Sequence, residues 1–494
     1  MLSQFALLIL GFFSQRAMNL YMGAELVGMN GVISNVINIL SVTELGISTA
    51  IVYHLYGALA RKDEAEIASL MNLYRKAYHV FAVLVFAAGM AVLPFIHLFM
   101  KNNSYSLSYI RVLYAMWLVR TVLSYLLTYR KSLLIADQKE YIASITGLIL
   151  NVVSYLAIIL LVTWEQNYLL ALGIGTVTEV VLNIWISWYV EQKYPFLRQR
   201  RKEKSTSSLT KRIVRDLKSL FISRISEKML YCTDNLIISG FIGVGTVGRY
   251  ANYCRITQAI SNILTILANT IQPTVGDYFT EKNRQRNYEI LRRLTFGFFC
   301  IASVVSVGLF SLITPFVRDI WLGPSYELGW GITVFCIVVL LVRIMGLPLS
   351  LVMGVTGLFE KEKNVGASSA LLNLIVSLAL VKPYGMAGVL LGTLLSYLLQ
   401  ILYRYIIYFR DFLEMPGEAL RYAQDIGEYL AVIAGEVLLM QKIVPLIYGA
   451  GGMLLFCVCF LLCIAIPLLL DLVIFGRGWR LQSIVTMVKG MRKA

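Results

Sequence analysis

The distribution of lysine and arginine along this chain constrains its fold more than any other feature. The sequence contains roughly fourteen apolar stretches, each close to the ~20 residues that a helix needs to cross a bilayer. Basic residues are concentrated in every second connection between these stretches and are sparse in the others. Because cytoplasmic loops of membrane proteins carry an excess of Lys and Arg, the pattern predicts an all-α polytopic membrane protein with both termini in the cytoplasm.

The connections between the apolar stretches set the orientation of each predicted span. The longest cytoplasmic connection, 191–216, holds nine basic residues, whereas the outer connections offer Lys101, Arg318, Lys382 and Lys442. An even number of spans agrees with two termini on the same side of the membrane. The predicted spans are 2–22, 26–53, 77–99, 107–128, 141–163, 167–190, 217–240, 247–275, 294–316, 328–358, 364–382, 385–408, 426–447 and 450–475.

The composition indicates lipid, rather than water, as the solvent of this chain. Hydrophobic residues make up 58% of the sequence and charged residues only 15%. A typical soluble domain carries about 25% charged residues. The net charge of +16 lies mostly in the predicted cytoplasmic loops, where anionic lipid attracts it, so we do not predict a nucleic-acid partner.

The sequence contains no motif typical of an enzyme or of a metal or cofactor site. We find no Gly-rich phosphate loop, no His-Glu-x-x-His and no nucleophile elbow. The seven cysteines lie in apolar stretches and the three histidines are scattered, so we predict no enzymatic activity, cofactor or metal. No cleavable signal peptide is apparent. Because no basic residue precedes the first span, we expect the native start to lie a few residues upstream of Met1.

An internal repeat predicts two similar halves. Its copies lie 217 to 222 residues apart, an offset that covers six predicted spans and therefore gives both copies the same orientation, as in transporters built from parallel repeats. We predict one six-helix lobe over 1–205, a second over 206–415, and an extra helix pair with a basic tail over 416–494. The matching pairs are Pro94-Phe95 with Pro315-Phe316, Val27-Gly28 with Val247-Gly248, Leu150-Asn151 with Leu372-Asn373, and Gly175-Thr176 with Gly392-Thr393.

Charged residues within the seventh predicted span mark a candidate site. Arg224, Glu227, Lys228 and Asp234 recur at helical spacing on one broad face. A charge at bilayer depth persists only beside a partner, a water-filled cavity or a charged ligand. The group could be an ion-pair network that only holds helices together, but basic residues exceed acidic ones across the spans, which favours the lining of a cavity.

The eighth predicted span repeats this pattern with Arg249, Asn252 and Arg255, three residues apart. Arginine matches phosphate oxygens bidentately, and asparagine both donates to and accepts from sugar hydroxyls. The predicted substrate-binding residues are Arg16, Asn30, Arg120, Arg224, Lys228, Arg249, Asn252 and Arg255. The predicted ion-coupling residues are Glu44, Glu179, Glu227 and Asp234.

Several stretches of the chain resemble the bacterial polysaccharide (Wzx-type) flippases of the multidrug/oligosaccharidyl-lipid/polysaccharide exporter superfamily, and the resemblance runs over nearly the whole chain. The stretches that carry the resemblance are 28–31, 44–48, 55–63, 233–239, 247–253 and 315–323. The resemblance implies two six-helix lobes with a central cationic cavity, alternating access, and a location in the bacterial cell membrane. It implies transport of a polyprenyl-pyrophosphate-linked oligosaccharide from the inner to the outer leaflet, and polysaccharide polymerase and glycosyltransferases as partners.

Other functions remain compatible with a polytopic membrane fold. A multidrug cation antiporter of the same superfamily would need an acidic or aromatic cavity, which the excess of arginine disfavours. A membrane glycosyltransferase or polymerase would need a large exported loop or an acidic metal motif, and the outer connections are short. A membrane scaffold could dock partners on the basic 191–216 connection but has no need of charges within its spans. Neighbouring glycosyltransferase genes would favour the flippase.

Overall fold

The computed structural model describes residues 2–41, 47–198, 228, 232–279, 283–358, 361, 363–449 and 451–476. This part of the chain is helical and contains no strand. The helices are α1 (Leu2–Leu40), α2 (Ile47–Ala60), α3 (Glu64–Val92), α4 (Leu107–Thr128), α5 (Lys131–Ala136), α6 (Glu140–Trp164), α7 (Tyr168–Lys193), α8 (Val244–Tyr278), α9 (Arg284–Pro315), α10 (Trp330–Val355), α11 (Lys363–Tyr384), α12 (Met386–Ile406), α13 (Pro416–Tyr448) and α14 (Met453–Phe475). Residues 232–241 are also helical.

The all-α polytopic fold class predicted from the sequence is confirmed. In the described part of the chain, ten helices are long and apolar enough to cross a membrane, and each coincides with a predicted span. Helices α1 and α8 are not among the ten, and both carry asparagine, glutamine and arginine side chains between their apolar residues. These two helices carry several of the predicted site residues, so the weakest membrane signal falls on the helices with the most polar chemistry.

The first two predicted spans differ from the helices that the structure shows. Helix α1 runs through both and breaks at Gly23, whose positive φ of 80° is a backbone conformation that glycine adopts without strain. Within the second span, predicted over 26–53, α1 ends at Leu40 and α2 begins at Ile47. The hydroxyl of Ser41 donates to the carbonyl of Ile37 (2.7 Å), which satisfies one acceptor in the last turn of α1.

The chain divides into two compact units, residues 1–251 and 252–494, with the boundary inside α8. In the first unit, α1 packs on α6 and α4, α3 packs on α4, and α7 packs on α4 and α6. The outer side of α6 presents a stripe of exposed apolar side chains at spacings of three and four residues, which suits contact with lipid. The stripe consists of Ile145, Ile149, Val153, Leu156 and Leu160.

In the second unit, α9 is the central element and packs on α10, α13 and α14. A buried apolar cluster lies where α9 begins and includes Tyr288, Leu291, Tyr408 and Tyr422. Tyr422 belongs to α13, so this cluster joins the C-terminal helix pair to the repeated helices. The C-terminal helices α13 and α14, which lie outside the internal repeat, are thus both held against α9.

Helices α11 and α12 meet along a seam of small residues. A Cβ atom at Gly388 would lie 2.4 Å from the carbonyl oxygen of Leu380, and one at Gly392 would lie 2.4 Å from Ser377 Oγ. The Asn373 amide donates to Thr393 Oγ1 (2.9 Å), and Ser396 donates to the carbonyl of Ser369 (2.9 Å). Small residues let membrane helices approach closely, and hydrogen bonds between helices then stabilise the contact.

The order of the helices repeats, in agreement with the sequence repeat. Helix α3 continues into a 3₁₀ helix, Leu93–Phe99, and α9 continues into a π-helix, Phe316–Trp321. A Pro-Phe pair of the internal repeat lies at each of these two junctions. A short loop and a long helix, α4 or α10, follow in each half, and then α6 with α7 or α11 with α12. The lobe boundaries 1–205, 206–415 and 416–494 stay a prediction.

Candidate functional site

The structure places nine of the predicted site residues within the described part of the chain. Asn30, Arg120 and Glu179 form one connected polar network in the first unit, whereas Arg16 is exposed on α1. Arg249, Asn252 and Arg255 lie on α8, and Lys228 and Asp234 both interact electrostatically with the Cys232 thiol. Glu44, Arg224 and Glu227 lie outside the described residues, so their assignment stays a prediction.

Asn30 on α1 is the acceptor at the centre of this network. Its Oδ1 accepts one hydrogen bond from Trp117 Nε1 on α4 and another from the hydroxyl of Tyr168 at the start of α7, both at 2.7 Å. Tyr168 is buried, so its hydroxyl has little access to water. One asparagine therefore ties three helices together in a part of the membrane where a polar group must be satisfied internally.

Arg120 extends the network from α4 to α7. Its Nε lies 2.7 Å from Glu179 Oε2, and its guanidinium lies 5.2 Å from the centroid of the Trp117 ring. Gly175 on α7 lies next to the guanidinium, since a Cβ built there would be 3.6 Å from one terminal nitrogen of Arg120, an ordinary contact distance. Arg120 is therefore paired with an acid, as the structural interpretation of intramembrane charges expects.

The Arg120–Glu179 pair is nevertheless open to an incoming group. The two side chains are 29% and 32% exposed, and the ion pair uses only the Nε of Arg120. Arginine carries five N–H donors, so a phosphate or carboxylate oxygen can still be bound. The chemistry of this network, with a guanidinium, an amide, an indole and a phenol, suits an anionic glycan-bearing ligand.

Replacing Asn30 by alanine is expected to lower the free energy of unfolding of the purified protein in mixed micelles. The change removes the acceptor of two hydrogen bonds, and each buried donor left without a partner costs about 1–3 kcal/mol. Asn38→Ala is the matched control on the same helix, because the Asn38 amide makes only a 3.5 Å contact with Ser34 Oγ. Equal losses in the two variants would contradict the role assigned to Asn30.

The first unit contains a very close contact between α1 and the start of α8. A Cβ at Gly28 would lie 1.9 Å from the carbonyl oxygen of Val244, and a Cβ at Gly248 would lie 1.8 Å from the carbonyl oxygen of Ala24. Gly28 and Gly248 are the pair that the internal repeat relates, and here each packs against the other's helix backbone. Only glycine allows this approach.

A loop secures the connection that leads into α8. Lys101 Nζ donates to the carbonyl of Phe241 (3.0 Å), the Asn102 amide donates to the carbonyl of Ile242 (3.0 Å), and Val244 N–H donates to the carbonyl of Lys101 (3.1 Å). The carbonyl groups of Phe241 and Ile242 and the N–H group of Val244 thereby have hydrogen-bond partners. Lys101, which the charge pattern identified only as an outer basic residue, holds the turn before α8 in place.

On α8, the predicted polar residues differ in environment. Asn252 is fully buried, while Arg249 and Arg255 are half-buried. Sequence reasoning did not single out Trp117 or Tyr168. The signal for Trp117 was its position three residues before Arg120, on the same face of α4, but no local pattern relates Tyr168 to Asn30.

Comparison with known proteins places this geometry in context. A family model described as "Polysaccharide biosynthesis protein" matches residues 1–279. No protein of curated function matches the sequence. The structure of the lipid II flippase MurJ in an inward closed conformation shares 16% identity, with 96% of this chain and 98% of that chain covered and a TM-score of 0.69.

Multidrug transporters of the MATE family also share the fold. An inward-facing member, described as belonging to the MOP superfamily, is 14% identical, with 81% of this chain and 93% of that chain covered and a TM-score of 0.62. The transporter DinF-BH is 15% identical, with 83% and 93% covered and a TM-score of 0.58. At these identities the similarities establish a common fold and leave the transported molecule open.

Proposed function

The chain belongs to the polysaccharide biosynthesis protein family, and from that premise we propose that it is a flippase for a lipid-linked oligosaccharide. It moves a polyprenyl-pyrophosphate-linked glycan from the inner to the outer leaflet of the bacterial cell membrane by alternating access, with both termini in the cytoplasm. The transported glycan then enters surface polysaccharide. Membrane glycosyltransferases supply this substrate and a polysaccharide polymerase consumes it.

The family match over residues 1–279 is the observation that carries this proposal. The chemistry of the first unit supports it, since the open Arg120–Glu179 pair offers donors for pyrophosphate oxygens and the surrounding asparagine and aromatic groups suit sugars. The similarity to the structure of the lipid II flippase MurJ extends over nearly the whole of both chains. A lipid-linked glycan has an anionic head, which the polar network would bind, and an apolar tail, which the lipid-facing helices would contact.

Deleting the gene in its native host tests the function directly. We expect loss of the surface polysaccharide and accumulation of polyprenyl-linked oligosaccharide that an externally added, membrane-impermeant glycosidase does not reach. The full chain supplied from a plasmid should reverse both effects. Normal surface polysaccharide in the deletion strain would overturn the proposal.

Replacing Arg255 by alanine is expected to reduce surface polysaccharide at least about tenfold in the complemented deletion strain, at unchanged protein level. A charge-assisted hydrogen bond contributes ~1.5–3 kcal/mol, enough for this decrease. Arg255→Lys should be partly active, because lysine keeps the charge and loses the bidentate geometry. Arg421→Ala is the control, since that exposed arginine pairs only with Glu418 one helical turn away. Full activity of Arg255→Ala would contradict a role in substrate binding.

A multidrug cation antiporter is the second candidate, favoured by the fold shared with the MATE transporters. This function predicts a different phenotype. The deletion strain would become more sensitive to cationic drugs while keeping its surface polysaccharide. The basic residues on α8 disfavour it, because a cationic drug would be repelled by Arg249 and Arg255.

A further inference from the structure

Two carboxylic acids are buried together within the C-terminal helix pair. Glu436 on α13 and Asp471 on α14 are each 3% exposed and interact electrostatically with one another. Both helices pack on α9, whose Ser303 hydroxyl donates to Glu436 Oε2 at 2.6 Å. These acids lie outside the internal repeat and outside the polar network of the first unit.

Most of the carboxylate oxygens in this acid pair have no hydrogen-bond donor. Glu436 Oε1 and both oxygens of Asp471 are buried and make no hydrogen bond within the described part of the chain. A carboxylate anion only accepts hydrogen bonds, and two neighbouring anions in a low-dielectric interior repel each other strongly. The arrangement therefore requires a positive species to be bound between or on the two acids.

Within the part of the chain that the structure describes, no basic side chain interacts electrostatically with either acid. From α9, the acids face the Cys300 thiol and the Ser303 hydroxyl, neither of which is a cation. Arg292, on the same helix, lies eleven residues before Ser303, about 16 Å along the axis. It is engaged bidentately by Asp425, with distances of 2.6 Å and 3.0 Å.

An aromatic layer separates the acid pair from the Arg292–Asp425 ion pair. Phe299 and Tyr429 stack with ring centroids 4.5 Å apart, and Phe475 meets both edge-on at 5.5 Å and 5.8 Å. Phe475 lies one helical turn after Asp471, and Phe299 lies one turn before Ser303. The rings thus lie between the two charged groups and keep the acids in an apolar environment.

We propose that Glu436 and Asp471 form a proton-binding site and that proton exchange at this site is coupled to export. A proton needs only one oxygen, whereas hard metal cations such as Ca²⁺ take six to eight oxygen ligands, more than two carboxylates and one hydroxyl provide. The proton comes from water, converts one carboxylate to a neutral acid, and returns to water when the site opens. The coupling to export rests on the proposed function, whereas the proton site itself does not.

Infrared difference spectroscopy of the full chain in lipid nanodiscs tests the site. Between neutral and alkaline pH in sodium-free buffer, we expect loss of a buried protonated-carboxyl band that is absent from the Glu436→Gln/Asp471→Asn double variant. Glu289→Gln, which removes an exposed acid from α9, should keep the band. Asp471→Glu retains a carboxyl group and should show the band at a shifted frequency. This result would exclude misfolding as the reason why the double variant loses the band. A band that survives the double substitution, or one that responds to sodium instead of pH, would overturn the proposal.

Surface polysaccharide in the complemented deletion strain tests the coupling separately. We expect the double variant to abolish export while wild-type protein and Glu289→Gln restore it. If the band is lost but the double variant exports normally, the coupling is wrong and the flippase function stands. If wild-type protein fails to restore polysaccharide, both the proposed function and the coupling fail, and the spectroscopic result alone decides the proton site.

Discussion

Alanine at Gly28 or at Gly248 is expected to lower the free energy of unfolding of the purified protein by about 3 kcal/mol, the upper end of the usual cost of overpacking. The added methyl group would lie within 2 Å of a backbone carbonyl oxygen in either position. Backbone atoms cannot rotate away as a flexible side chain can, so α1 and α8 must separate. Chemical unfolding in mixed micelles gives the free energy, and surface polysaccharide gives the effect on export.

Neighbouring glycines provide controls for this prediction. A Cβ at Gly31 would lie 3.9 Å from Val247 Cγ1, and one at Gly245 would lie 3.7 Å from Glu25 Cγ, both ordinary contacts. Gly31→Ala and Gly245→Ala should therefore keep near wild-type stability, and alanine's better helix propensity offsets small losses. A similar destabilisation in all four variants would show that a general sensitivity of these helices to substitution, and not close packing, explains the effect.

Replacing Asp425 by alanine is expected to cost about 3–5 kcal/mol of unfolding free energy, because it leaves a buried arginine without its partner. Arg292 and Asp425 are 22% and 8% exposed and form two parallel hydrogen bonds between α9 and α13. The guanidinium also lies 5.5 Å from the Tyr288 ring, which holds it in the apolar cluster at the start of α9.

A double variant distinguishes loss of the pair from loss of shape. Arg292→Met/Asp425→Leu replaces both charges with apolar groups of similar volume and should recover most of the stability, as replacing buried ion pairs often does. Glu289→Ala, which breaks an exposed pair with Arg293 at 3.6 Å on the same helix, should change stability by less than about 1 kcal/mol. A double variant as unstable as Asp425→Ala would contradict this explanation.

The sequence predicted the helices of this protein better than their contacts. Apolar length and the alternation of basic residues sufficed for the ten strongly apolar helices, because crossing a bilayer requires a fixed length of apolar residues. The same criterion was weak for α1, whose apolar residues are interrupted by asparagines and an arginine, and it did not predict that α1 ends at Leu40, inside the second predicted span. The residue at which a helix ends depends on hydrogen bonds made by individual side chains. A hydropathy average over many residues does not detect them.

The candidate site was predicted in part. Intramembrane charge identified Arg120 and Glu179, and the structure pairs them, but charge alone did not reveal that Asn30 joins the same network through Trp117 and Tyr168. Those contacts link residues 87 and 138 positions apart in the chain. No local periodicity contains that information. The repeat related Gly28 to Gly248 in sequence, whereas their packing against each other's helices emerged only in three dimensions.

The seam between α11 and α12 bears on how the nascent chain enters the bilayer. The Asn373 amide, the Ser377 hydroxyl and the Ser396 hydroxyl each donate to an acceptor on the opposite helix. A lone α11 delivered into lipid by the translocon would expose the Asn373 amide and the Ser377 hydroxyl to hydrocarbon until α12 emerged from the ribosome. The two segments are therefore suited to leave the translocon together as a helical hairpin, with Gly385 at its tip.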